Sequence, residues 1–79
     1  MIYACAIHEC RTAKERHRAA DVMAELSLKP CPDPETFQER LRRTLRSHGL
    51  LDAELQPLAT NSRVDVVVNG RTIMSWTQN

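Results

Sequence analysis

Glycine is nearly absent from this chain of 79 residues, with Gly49 and Gly70 as the two examples. Loops that cradle phosphates bring several glycine backbones close to the ligand, so neither a P-loop nor a dinucleotide fingerprint can be assembled. Aromatic residues are as scarce: Tyr3, Phe37 and Trp76. A sheet that reads single-stranded nucleic acid needs stacking platforms, and Tyr3 and Trp76 are too few. No run of about 18 apolar residues is present to cross a membrane, and no basic segment precedes a long apolar run. A soluble, cytoplasmic protein is expected. The net charge is +1, without the electrostatic footprint that would demand a polyanionic partner. Three cysteines, Cys5, Cys10 and Cys31, are an odd number at irregular spacing. They suit free thiols in a reducing compartment better than a disulfide framework. The carboxylates form no paired acid–base arrangement, and no internal repeat is visible.

What remains is the composition of a folded protein, 42% hydrophobic and 27% charged. Residues 1–79 read as a single domain, of a size at which a hydrophobic core alone supplies about 3–5 kcal/mol. The most legible stretch is Val64 to Trp76, two β-prone runs around Asn69-Gly70. That dipeptide accepts the positive φ angles of a type I′ turn and predicts a hairpin. Regular pairing from the turn sets Val68 against Arg71, Val66 against Ile73 and Val64 against Ser75 on one face, the expected core side. It sets Val67 against Thr72, Asp65 against Met74 and Arg63 against Trp76 on the other.

Upstream, residues 2–8 are mostly apolar and read as a short buried strand. Thr12-Ala13-Lys14-Glu15 has the form of a capping box, so a helix should begin at Ala13. Ala19, Val22, Met23 and Leu26 form its apolar side. A stiff connector, Lys29 to Pro34, leads into the clearest helix start, with Asp33 as N-cap and Pro34 at the first helical position. This second helix should run from Pro34 to His48, with Phe37, Leu41 and Leu45 as its stripe. Gly49 then takes the left-handed C′ position, and Leu50 folds back on Leu45. Between 50 and 62, Pro57 interrupts any helix. One turn after Asp52, an extended segment near Leu58 to Thr60 and a turn at Asn61-Ser62 are expected. The order β-α-α-β-β predicts an α+β fold, two helices on a small, mainly antiparallel sheet ending in a hairpin.

Candidate chemistry is thin. Cys5-x-x-His8-x-Cys10, with Cys31 or His17 as a fourth ligand, has the residue types for zinc but not the spacing of ligand knuckles. A strand over residues 2–8 would send Cys5 and His8 to opposite faces. Neither a metal centre nor a cofactor is expected, and a Cys-His nucleophilic pair lacks an oriented base. Arg40, Arg42, Arg43 and Arg46 are the densest basic cluster, able to contact phosphates or simply to complement the helix dipole and Glu39. In element order, a basic second helix followed by a tight hairpin resembles a winged helix-turn-helix, with Arg71 at the wing tip. On the far face of the hairpin, Trp76, Met74 and Val67, rimmed by Arg63, Asp65 and Thr72, have the composition of a small protein interface, covered by a partner, by residues 2–8 or by a second copy in a homodimer. The leading expectation is a non-enzymatic protein that binds another protein as inhibitor, adaptor or regulatory subunit. The alternative is a nucleic-acid-binding module using the Arg40-to-Arg46 face.

Overall fold

A computed structural model of the chain describes residues 2–27, 29–58 and 62–78. The elements follow in the order β1 (Tyr3–Ile7), α1 (Ala13–Leu26), α2 (Pro34–Ser47), β2 (Glu54–Leu58), β3 (Arg63–Val68) and β4 (Arg71–Gln78). The strands form one antiparallel sheet in the spatial order β1-β4-β3-β2. The α+β fold is therefore as expected, with one strand more than the sequence announced.

Local chemistry sets the helix ends. Thr12 Oγ1 accepts the Glu15 amide at 3.0 Å and opens α1. The return half of the capping box is displaced by one residue, because Glu15 Oε1 accepts from the Arg11 amide rather than that of Thr12. Asp33 Oδ1 accepts from the Thr36 amide at 2.7 Å and opens α2. That hydrogen bond stabilises the carboxylate and holds the Asp33 pKa below its ordinary value. At the far end of α2 the Leu50 amide donates to Leu45 O and the Gly49 amide to Arg46 O. With Gly49 at φ +81°, this is a complete Schellman motif, and Leu50 is buried beneath it.

Helix stripes and strand faces meet in one core. Ala19, Val22 and Leu26 of α1 and Phe37, Leu41 and Leu45 of α2 are all buried. Phe37 stacks on Tyr3 with ring centroids 3.8 Å apart, and meets Trp76 edge-on at 5.4 Å. All three aromatics of the chain thus lie between the helices and the sheet. Among the described residues the Trp76 indole N–H has no hydrogen-bond partner, so the ring is held there by its apolar contacts.

Two expectations change. The segment after α2 becomes β2, a full strand that begins at Glu54 and contains Pro57. Pro57 is tolerated because β2 is an edge strand with β3 as its one neighbour. Residues 59–61, and with them Thr60 and Asn61, lie outside the described residues.

The larger correction is the register of the hairpin. Asn69 at φ +50° and Gly70 at φ +78° form the expected turn, and Val68 pairs with Arg71 and Val67 with Thr72. A bulge then intervenes, after which Val66 pairs with Met74, Asp65 with Ser75, Val64 with Trp76 and Arg63 with Thr77. One extra residue, Ile73, shifts every later side chain of β4 to the opposite face. Met74 and Trp76 are fully buried with Val64 and Val66, so they form no exposed patch. Ser75 and Thr77 take the face on which the tryptophan was expected. Ile73 joins the core as well.

Candidate functional site

Because both helices cover one side of the sheet, the other side is open. Register places Ala4, Thr77, Arg63 and Leu58 in one row across it, and Ala6, Ser75, Asp65 and Gln56 in the next. The second row contains a hydrogen-bonded cluster. Ser75 Oγ donates to Asp65 Oδ1 at 2.9 Å, and Arg63 reaches both, Nε to Asp65 at 3.0 Å and Nη2 to Ser75 Oγ at 3.3 Å. His8 Nε2 lies 2.9 Å from Ser75 Oγ. These residues, with Glu9 and Arg71, line a groove of about 510 Å³.

Asp65 is 7% exposed, and a carboxylate so placed needs the partners it has. Serine, histidine and aspartate meet here without the polarity of a catalytic triad. In a triad the carboxylate orients the imidazole, which takes the serine proton. Here the carboxylate accepts from the serine instead of orienting the imidazole, and His8 Nε2 meets Ser75 Oγ in a hydrogen bond whose direction follows the imidazole tautomer. The cluster holds Asp65 in place and leaves part of Arg63 (side chain 48% exposed) facing solvent.

Arg71, expected at a free hairpin tip, is an internal tie. Its Nη1 donates to Glu9 O at 2.9 Å and to Glu15 Oε1 at 3.1 Å, and the ion-paired side chains are 17% and 16% exposed. The Arg71 guanidinium and the Arg11 amide lower the pKa of Glu15 by hydrogen bonding to its charged form. The hairpin is also the central pair of a four-stranded sheet, so the winged-helix arrangement does not hold. Its tip is fastened to the start of α1.

The arginines of α2 divide. Arg40 turns back to the connector, donating to Pro30 O at 3.1 Å and reaching Cys31 Sγ at 3.3 Å. Arg42, Arg43 and Arg46 remain together beside Glu39 along a shallow groove of about 230 Å³. The Arg43–Glu39 contact, at 3.4 Å between side chains 79% and 70% exposed, is a solvated pair of little energetic weight.

Cys5 pairs with Trp76 on the helix side of the sheet, whereas His8 joins the cluster on the open side. The two are separated as strand alternation requires. Burial pushes the Cys5 thiol up to about 12, and Cys31 is buried. Among the described residues no three of His, Cys, Asp and Glu converge on a metal-sized site, and no helix is long and apolar enough to cross a membrane.

The sheet has two edges of different character. β2 carries Glu54 and Pro57, each of which discourages further pairing. β1 pairs with β4 in unbroken register and has neither charge nor proline from Tyr3 to Ile7. The His8 amide donates to Ile73 O. By antiparallel alternation Ala6 and Ala4 also face β4, and the backbone groups of Cys5 and Ile7 point away from the sheet.

Ser75 was not singled out from the sequence, His8 was weighed only as a metal ligand and Asp65 only as the rim of an interface. A signal for them was present: Arg63-Val64-Asp65-Val66 and Met74-Ser75-Trp76-Thr77 each alternate polar with apolar, and matching like with like demands a one-residue shift. The adjacent apolar pair Ile73-Met74 is where alternation breaks. Compared with known proteins, the chain matches no family model, and no curated protein or solved structure matches it significantly.

Proposed function

We propose that this is a small non-enzymatic protein that acts by binding another protein, as an inhibitor, adaptor or regulatory subunit, and that the partner adds a strand along β1. The observation that carries the reading is the contrast between the two edges. β1 offers the outward backbone groups of Cys5 and Ile7 on a strand without charge or proline, while β2 is protected. The adjoining open face supplies small side chains, Ala4 and Ala6, that let a strand approach, and His8 and Arg63 as polar contacts for specificity. Three cysteines at irregular spacing, Cys5, Cys10 and Cys31, support a cytoplasmic setting. The test is affinity capture from the native host with wild-type protein, Ala6→Lys and Gln56→Lys. A partner retained by wild type and Gln56→Lys but lost with Ala6→Lys supports the reading. A partner retained equally by all three overturns β1 as the docking edge.

A second reading, nucleic-acid binding, is favoured by Arg42, Arg43 and Arg46 converging with Glu39 as the one carboxylate lining their groove. Phosphate contacts of this kind weaken steeply with salt. Retention of DNA or RNA at about 0.1 M salt, lost in Arg42→Ala/Arg46→Ala across all sequences, would favour it over protein binding.

A further inference from the structure

We infer that the occupant of the β1 edge is a second copy of this chain, paired antiparallel about a twofold axis through Ala6. The inference rests on the reading of β1 as a docking edge and names the partner. Because Ala4 and Ala6 direct their backbone groups to β4, and His8 its N–H, the outward groups are those of Cys5 and Ile7. An axis through Ala6 sets Cys5 of each copy opposite Ile7 of the other, and both residues exchange N–H and C=O with their counterparts. The match is self-complementary, as a closed dimer requires.

Side chains agree with that register. On the open face Ala6 meets Ala6, and each His8 lies opposite the small Ala4 of the other copy, which leaves room for its hydrogen bond to Ser75. On the helix face Cys5 and Ile7 are half-buried and packed against the core. Pairing lays each against the other and completes their burial. No charged side chain lies between Tyr3 and Ile7, so identical strands meet without like charges opposed. The second edge limits growth. Pro57 has no N–H to offer, which disfavours head-to-tail β1-to-β2 pairing and with it an open filament.

Sedimentation velocity over a range of protein concentrations tests this. Wild type and Gln56→Lys should both show a reversible monomer–dimer equilibrium. Ala6 is exposed, so Ala6→Lys and Ala6→Glu should keep the wild-type circular dichroism spectrum, yet each raises the dimer dissociation constant at least about tenfold by opposing like charges. Mixing the two variants should restore a dimer. Hydrogen exchange adds a second measure, in which the Cys5 and Ile7 amides are protected in wild type and exchange fast in Ala6→Lys. A wild type that is monomeric at every concentration overturns the inference, and so does an Ala6→Lys variant that dimerises as wild type does. If that monomer still captures a different protein through β1, the docking edge stands and only the self-pairing fails. If it captures nothing, both fail.

Discussion

The two faces of the sheet are built from the same strands, yet they do opposite things with their polar groups. On the helix side, Tyr3, Phe37 and Trp76 pack together, and the indole N–H has no hydrogen-bond partner among the described residues. On the open side, a carboxylate almost as buried is satisfied by Arg63 and Ser75. The difference teaches that β3 and β4 are held in register by two unlike demands. Burying apolar area is tolerant of position, whereas a buried carboxylate requires its partners at hydrogen-bonding distance. Polar pairing on the open face thereby reinforces the register that apolar packing selects on the other.

The largest loss of stability is expected for Trp76→Ala. Deleting a fully buried ring from an aromatic stack costs about 3–5 kcal/mol, comparable with the whole stability expected of a domain this small. Urea titration followed by circular dichroism should find the variant largely unfolded, and a loss below about 1 kcal/mol would contradict the register. On the open face, Asp65→Ala should cost about 1–3 kcal/mol by leaving Arg63 and Ser75 without their acceptor. A double-mutant cycle with Ser75→Ala should show coupling between the two sites, and strict additivity would dissolve the cluster.

At the margin of the sheet, Arg71→Ala should cost about 1–2 kcal/mol near neutral pH by releasing Glu15 and the start of α1. The folded Glu15 pKa lies below its ordinary 4.5, so its stabilisation is fully present above that value. It is lost as pH falls from there through the lower folded pKa. The gap between wild type and Glu15→Gln should therefore close on acidification, and a gap independent of pH would assign the effect to packing. The smallest change is expected for Thr77→Ala, exposed on the open face beside Arg63, within about 0.5 kcal/mol of wild type.

Much of the local structure is legible in the residues. Thr12 and Asp33 announce the helix starts, Gly49 with Leu50 the end of α2, and Asn69-Gly70 the turn, because each acts through neighbours a few positions away. β2 was less legible, since Pro57 opposes a strand until the strand is known to lie at an edge. The candidate site was read least well. Arg42, Arg43 and Arg46 do share a groove, but Arg40 is drawn to Pro30 and Arg71 to Glu15, and those partners lie in other elements. Met74 and Trp76 were assigned to the wrong face because regular pairing was extended through Ile73.

The sequence by itself determined the caps, the turn, the apolar stripes and the α+β class, all consequences of short-range sterics, hydrogen bonding and periodicity. Tertiary structure decided which face of β4 is inside. A bulge costs little locally, and its position follows from which register buries Trp76 and Met74 under the helices while giving Asp65 its partners. That choice depends on atoms more than sixty residues apart, where His8 meets Ser75, and no local pattern carries it.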